Sequence, residues 1–147
     1  MEVILVSACL LGEKCRYDGR GNYRPFIEKL KQKFDIVPIC PEVMGGLKTP
    51  RDKSEILNDK VVSEKGRDVT RYFQKGAEEV ANIVKYLHIT KAVLMERSPS
   101  CGVHQVHDGH FKGNLVDGEG VTTKVLKELG VKCFTIEEIE EYLNEKK

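Results

Sequence analysis

Four of the five cysteines lie at turns of the chain, where thiols from different segments can meet. Cys9, Cys15, Cys40 and Cys101 fall in Gly- and Pro-rich segments, whereas Cys133 lies in VKCFTI, an apolar run typical of a buried strand. Thiolates brought together from turns could bind zinc or an iron–sulfur cluster, because soft sulfur ligands select those metals. The sequence contains no CxxC pair, which counts against a zinc ribbon or a thioredoxin-type redox pair. The alternative is that these are small residues in tight loops that share no site.

A carboxylate and two hydroxyls accompany the cysteines. Glu42 follows Cys40 by two residues in CPEVMGG, and Ser98 and Ser100 stand beside Cys101 in SPSCG. Next to a metal, such groups could position a water molecule and take its proton. Alternatively, Glu42 only accepts hydrogen bonds from its own loop, and Cys101 is a nucleophile or a small buried residue.

Cationic side chains in the same segments could bind the negative part of a ligand. Arg16 and Asp18 follow Cys15 in CRYDG, Arg51 follows Pro in TPR, and Arg97 precedes SPSCG. A guanidinium in this position could hold an anion or a carbonyl oxygen. The simpler alternatives are that Asp18 caps a turn and that the arginines are solvated.

Three histidines crowd the segment after SPSCG. His104, His107 and His110 are spaced by three residues, and such a group could bind zinc or nickel. Because this segment has no helical pattern, solvated or hydrogen-bonded roles are favoured for all three. His104 or His107 could also be the base of a Cys-nucleophile hydrolase or sulfur-transfer enzyme. A zinc-stabilised binding domain is the remaining alternative.

Composition sets the class of protein. The 147 residues fit one domain, and 40% hydrophobic with 32% charged residues is typical of a soluble globular chain. No apolar run approaches the roughly 20 residues that span a bilayer, so no membrane contact is expected. The start, MEVILVSACLLG, lacks the basic region of a signal peptide, and the cysteine count is odd. These features predict a cytoplasmic protein with reduced thiols.

Hydrophobic periodicity predicts the elements that must position these side chains. We expect strands over residues 2–8, 35–40, 91–95 and 131–136, and helices over 25–34, 68–88, 119–130 and 137–146. The segment 55–66 predicts a small hairpin that turns at Asn58 and Asp59, and Thr135 with Glu138 resembles a capping box. Strands that alternate with helices predict an α/β fold. We therefore expect a single domain over residues 1–147, with a short, mostly parallel sheet of about four strands and helices on both faces.

The long Gly-rich loops follow the carboxyl ends of the first three predicted strands. They span residues 9–22, 40–51 and 96–113, and they carry the cysteines and their polar neighbours. Open α/β sheets bind ligands at this edge, so these loops are expected to line one pocket.

With these residues identified, the sequence resembles the short, TudS-type thiouracil desulfidase family. The matching motifs are SACLLGEKCRYDG, CPEVMGGLKTPR, GRDVTRYFQKGA, SPSCG followed by HDGHFKG, and GEGVTTKVL. They cover roughly residues 3–130. Two positions depart from the pattern: Met95 stands where Lys often precedes SPSCG, and His107 stands where Tyr is common.

The resemblance implies a [4Fe-4S] cluster that is held by three cysteines and leaves one iron open. We expect Cys9, Cys40 and Cys101 as ligands, with Cys15 as a spare thiol or in place of one of them. The open iron would take the sulfur of a thiolated uracil, and water would replace that sulfur without net redox change.

The resemblance also implies the substrate and the catalytic groups. The product is uracil, formed from 2- or 4-thiouracil, and relatives act on thiouridine in nucleotides or RNA. The expected partner is therefore a small thiolated uracil or its nucleotide, since a net charge of +1 does not indicate RNA binding. Glu42 is the expected catalytic carboxylate, Ser98 or Ser100 the catalytic hydroxyl, and Arg16, Asp18 and Arg51 the substrate-binding residues.

Overall fold

Eight short strands and five helices make up residues 1–145, the part of the chain that the computed structural model describes. In chain order the strands are β1 (Glu2–Ser7), β2 (Phe34–Ile39), β3 (Ser54–Leu57), β4 (Lys60–Ser63), β5 (Lys91–Val93), β6 (Gln105–His107), β7 (Leu115–Asp117) and β8 (Lys132–Phe134). The helices are α1 (Ile27–Lys33), α2 (Pro41–Met44), α3 (Thr70–Leu87), α4 (Val121–Glu128) and α5 (Ile136–Glu145).

The main sheet is parallel, and its strand order is β2-β1-β5-β8. Consecutive side chains of β1 face opposite sides of this sheet. Ile4 and Val6 pack with α1 and α5, whereas Leu5 packs with α3 and α4. Helices therefore cover both faces, as an all-parallel sheet requires. The predicted α/β class, sheet and helix layers are confirmed.

Two local predictions are also confirmed. Strands β3 and β4 form an antiparallel hairpin that turns at Asn58, whose φ is +57°. At the start of α5, the Thr135 hydroxyl accepts the Glu138 N–H at 3.2 Å, and the Glu138 carboxylate accepts the Thr135 N–H at 2.9 Å. This is the expected capping box. The predicted end of the last helix, at residue 146, lies outside the described residues.

Four elements occur where no helix or strand was predicted. A 3-10 turn, Ala8–Leu11, follows β1, and the single-turn helix α2 follows β2. The third long loop contains β6, and β7 follows that loop and pairs with β6 in antiparallel register. Each element spans at most four residues, and such a length is too short for a period of 2 or 3.6 to emerge from the sequence.

Within residues 1–145, no helix combines the length and the apolar character that crossing a membrane requires.

Candidate metal centre and active site

A cavity of about 300 Å³ opens at the carboxyl ends of β1, β2 and β5. Three chain segments and two neighbouring strands build its wall, as expected for a ligand site on an open parallel sheet. The residues that line it are Ser7, Ala8, Cys9, Cys15, Arg16, Tyr17, Ile39, Cys40, Pro41, Glu42, Arg51, Lys53, Ser54, Met95, Glu96, Arg97, Ser98, Pro99, Ser100, Cys101 and His107. The structure thus brings together the four turn cysteines and leaves Cys133 on β8 outside the lining.

The start of α4 holds the Cys101 loop. The first N–H groups of a helix lack partners within the helix, and carbonyls of SPSCG accept them here. Pro99 O accepts from Val121 N at 2.9 Å, and Ser100 O accepts from Thr122 N at 2.9 Å. Gly120 lies against Ser100 so closely that an added Cβ would stand 2.5 Å from its carbonyl oxygen. Sequence positions 99–101 and 120–122 are therefore one structural unit.

The single-turn helix α2 places Cys40 and Glu42. Cys40 caps the helix in an extended conformation, and Pro41 occupies its first turn, where the missing N–H costs nothing. Gly76 of α3 packs directly against the Pro41 carbonyl, and a side chain there would collide with it. The position of Cys40 thus depends on a glycine 36 residues further along the chain.

Burial keeps most of the site thiols protonated in the metal-free chain. Desolvation raises the pKa of Cys9 to about 11 and that of Cys101 to about 12. For Cys101, desolvation outweighs hydrogen bonds from Ser7 and Ser100, which lower the pKa. Iron would have to displace these protons, so metal binding and proton release are coupled.

Cys40 differs from the other thiols. As a thiol it lies 3.7 Å from the Cys15 carbonyl oxygen. As a thiolate it accepts a hydrogen bond from the Cys15 thiol and another from the Val43 N–H, and these lower its pKa to about 7 despite burial. The same contact raises the pKa of Cys15, whose proton serves as the donor.

A hydrogen-bonded chain joins the predicted catalytic groups. Arg51 Nε donates to Glu42 Oε1 at 3.1 Å, and the Ser100 hydroxyl donates to Glu42 Oε2 at 3.0 Å. The Ser98 and Ser100 hydroxyl oxygens lie 2.9 Å apart. Ser98 Oγ also accepts the N–H groups of Ser100 and Cys101, both at 3.1 Å. The Glu42 carboxylate is thus held at both oxygens.

The predicted substrate-binding residues have different surroundings. Arg51 is 8% exposed and also donates to Cys15 O, Lys48 O and Thr49 Oγ1, so its guanidinium ties the first cysteine loop to the second. Asp18 accepts the Arg20 N–H at 3.0 Å and holds a turn. Its neighbours Arg16 and Tyr17 line the cavity, whereas Asp18 is not among the lining residues.

The three histidines occupy different environments. His104 Nε2 lies 3.0 Å from Glu138, His110 is exposed, and His107 lines the cavity. Lys53 on the lining and the buried Glu55 were not predicted as site residues, because Lys53 directly precedes the β3–β4 hairpin and Glu55 lies on it, and this segment was predicted only as structure. Glu55 is 1% exposed and accepts the N–H groups of Gly109 and Phe111.

The donor set fits an iron–sulfur cluster. The irons of such a cluster take thiolate ligands, and four cysteines line this one cavity. Within residues 1–145, side chains of His, Cys, Asp and Glu form no group of three placed to hold one metal ion.

Comparison with known proteins gives relatives over nearly the whole chain. A family model described as 2-thiouracil desulfurase matches residues 4–138. The uncharacterised protein YbbK of Bacillus subtilis (strain 168) is 35% identical over an alignment of 151 residues, gaps included, and the alignment covers 96% of this chain and 100% of that protein. A solved structure of a [4Fe-4S]-dependent thiouracil desulfidase, TudS, is 40% identical and superimposes with a TM-score of 0.91 over 96% of this chain and 95% of that one.

Proposed function

The chain belongs to the 2-thiouracil desulfurase family, and on that premise we propose that it is a [4Fe-4S]-dependent enzyme that removes sulfur from thiolated uracil. Water replaces the thiocarbonyl sulfur at the ring carbon, and the products are uracil and sulfide. The observation that carries the proposal is one cavity lined by four thiols and by a carboxylate that a hydroxyl and a guanidinium hold in place.

The proposed cluster ligands are Cys9, Cys40 and Cys101, one from each loop that follows β1, β2 and β5. When bound through three thiolates, the cluster supplies an iron without a protein ligand, a Lewis acid to which a thiocarbonyl sulfur is a matched soft donor. In the metal-free chain the Cys15 thiol donates to the Cys40 sulfur, and the role proposed for Cys15 is to support that ligand. The remaining residues then need only to bind the ring and activate water.

Glu42 is the proposed base. Arg51 occupies Oε1 and keeps the carboxylate in one orientation, while Oε2 points along the hydrogen bond to Ser100. A carboxylate fixed in this way can take a proton from water without first reorganising. Arg51 is therefore a positioning residue in this proposal, since its donors are already engaged by the protein.

Ser98 and Ser100 share the second catalytic role. Ser100 is 2% exposed and connects directly to Glu42, so it relays a proton or orients the water near Oε2. Ser98 is more exposed than Ser100 and ends this series of hydrogen bonds. Its hydroxyl oxygen also accepts the N–H groups of Ser100 and Cys101, which holds the backbone of the Cys101 loop. The two hydroxyls thus extend the reach of Glu42 into the cavity.

The reaction balances without electrons. Water supplies one oxygen and two protons, the ring carbon exchanges sulfur for oxygen at constant oxidation state, and sulfide leaves with the protons. The substrate is 2- or 4-thiouracil or a thiouridine nucleotide. Arg16 and Arg97 lie on the lining and could meet a phosphate, whereas a net charge of +1 gives no support for RNA.

The test is anaerobic reconstitution with iron and sulfide, followed by assays of sulfide release. The substrates are 2-thiouracil, 4-thiouracil and 4-thiouridine monophosphate. We expect a brown protein that releases sulfide from at least one of them and yields the matching uracil compound. A cluster-loaded protein that is inert towards all three would contradict the proposal.

One observation favours a second candidate, a Cys-nucleophile sulfur-transfer enzyme. A thiol with a pKa of about 7, as for Cys40, is a reactive nucleophile at neutral pH. This candidate predicts sulfur release by protein that carries neither iron nor zinc. Rapid alkylation of Cys40 alone would not separate the two candidates, because the lowered pKa predicts it for both.

A further inference from the structure

The polar side chains of the cavity divide into those already paired and those still open. Glu42, Arg51, Ser98 and Ser100 bond to one another. The carboxylate of Glu96 is also engaged, since it accepts the N–H groups of Arg97, Val103 and His104. We call the cysteines and these paired groups the inner wall.

Four other groups on the lining make no side-chain hydrogen bond within residues 1–145. We call Arg16, Lys53, Arg97 and His107 the outer wall. Lys53 faces Glu55 at 3.7 Å, and the guanidinium of Arg16 stands 6.0 Å from the ring centre of Tyr17. His107 Nδ1 is buried and has no hydrogen-bond partner within residues 1–145. A buried nitrogen without a hydrogen-bond partner lowers the free energy of unfolding, and a ligand that supplies the partner removes this penalty.

The backbone around His107 is held firmly. His107 ends β6 and pairs across to Leu115 of β7. Two residues later, Glu55 Oε1 accepts the N–H groups of Gly109 at 3.0 Å and Phe111 at 3.1 Å. Gly109 has φ +94° and lies against Ile56, so the segment after His107 is fitted closely to the β3–β4 hairpin. An imidazole on such a support is preorganised to recognise a ligand.

Imidazole also has the chemistry that the ligand requires. The other open groups of the outer wall, two guanidiniums and an ammonium, can only donate hydrogen bonds. A neutral imidazole offers one donor and one acceptor, and a uracil ring alternates N–H donors with carbonyl acceptors along its edge. Among the four groups of the outer wall, His107 is therefore the one that can accept a ring N–H, a capacity it shares on the lining with the hydroxyls of Tyr17 and Ser54.

We infer that His107 is the specificity-determining residue that recognises the pyrimidine edge of the substrate. The inference rests on the proposed function and adds a residue to it. His107 selects the ring, while the inner wall performs the chemistry. A pyrimidine whose N–H is replaced by N–CH3 loses this contact and leaves the imidazole unpaired, which is how a hydrogen-bonding site rejects a close analogue.

The test compares ring binding by two matched substitutions in cluster-loaded protein. His107→Phe keeps an aromatic ring and removes its hydrogen bonds, and His110→Phe makes the same change at an exposed site away from the lining. Calorimetry measures the Kd of uracil, 1-methyluracil and 3-methyluracil. We expect His107→Phe to weaken uracil binding about 10- to 100-fold with unchanged iron content, and His110→Phe to stay within about 2-fold.

The methylated rings separate recognition from a structural role. Wild-type protein should bind one of the two methyluracils about 10-fold or more weakly than uracil, and His107→Phe should lose that preference. His107→Asn, which keeps a donor and an acceptor, should recover part of it. Equal weakening of all three ligands, or unchanged discrimination in His107→Phe, would overturn the inference.

Two further outcomes have a defined meaning. If His107→Phe loses iron or thermal stability, His107→Leu takes its place in the binding experiment. Its preference for uracil over the two methyluracils then decides whether His107 recognises the ring. If wild-type, cluster-loaded protein releases sulfide yet binds uracil with no preference over either methyluracil, His107 recognition is wrong and the proposed function stands. If wild-type protein neither binds uracil nor releases sulfide, the proposed function itself has failed.

Discussion

The inner and outer walls of the cavity face the same space but are built in opposite ways. On the inner wall, Glu42 is held at both carboxylate oxygens, and Arg51 donates to four acceptors on two loops. On the outer wall, His107 Nδ1 is buried without a partner in the described chain. A paired group gains little from a ligand, whereas an unpaired one gains a full hydrogen bond. The difference assigns catalysis to the groups that are already paired and recognition to the groups that are not.

The largest effect should come from removing a thiolate of the inner wall. Cys9→Ser, Cys40→Ser and Cys101→Ser should each lose most of the iron, because a hard hydroxyl is a poor substitute for thiolate. Iron and sulfide per chain and the visible absorption measure this loss. Cys133→Ser is the matched control and should keep its iron, since Cys133 lies outside the lining. Loss of iron in the control alone would show that the ligand assignment is wrong.

The next largest effect should come from Glu42→Gln. The amide keeps the shape of the carboxylate and can still pair with Ser100, but it cannot take a proton. We expect unchanged iron content and a kcat lower by about 100- to 10,000-fold. Wild-type turnover by the loaded variant would remove Glu42 from the mechanism.

A smaller effect is expected from Arg51→Lys. An ammonium keeps the charge but cannot reach Glu42, Cys15 O and Lys48 O together as the planar guanidinium does. Loss of such a supporting partner typically costs about 10- to 100-fold in activity or metal retention. The Kd of uracil should change little, and a selective loss of binding would instead place Arg51 among the substrate-binding residues.

The smallest expected effect is on stability at alkaline pH. Burial raises the pKa of Cys9 and Cys133 to about 11 and of Cys101 to about 12. Above pH 9 the unfolded chain releases these protons while the folded chain keeps them, so the free energy of unfolding falls as pH rises towards 11. In cluster-loaded protein, iron would already have displaced the protons of Cys9 and Cys101. The loaded form should therefore lose less stability than the cluster-free form as pH rises.

Thermal melts at pH 8 and pH 10.5 test this difference. The Tm of cluster-free protein should fall by on the order of 5 °C more than that of loaded protein. Equal falls in the two forms would mean that the buried thiols of the inner wall are not the groups that lose their protons.

The layers of the fold could be predicted because they rest on long periodic segments. The 18 residues of α3 carry a continuous apolar face, and residues 3–6 at the centre of β1 are all apolar. The turn at Asn58 and the capping box at Thr135 were also predictable, because each depends on residues close together in sequence.

The site was predictable in its residue types and less so in its contacts. Cys9, Cys40 and Cys101 could be placed at strand ends, and parallel topology then brings those ends together. The partners of Arg51 could not be predicted, since a guanidinium bonds as readily to loop carbonyls as to a substrate. The support that Gly76 gives α2 and that Gly120 gives Ser100 depends on contacts distant in sequence.

The central claim is that the inner wall directs water to a thiocarbonyl carbon without electron transfer. The most direct test is multiple-turnover desulfuration in H₂¹⁸O by cluster-loaded protein, with no electron donor present. The account predicts sustained sulfide release and one ¹⁸O atom per uracil formed. Turnover that stops without dithionite or a ferredoxin, or uracil that carries no label from water, would contradict it.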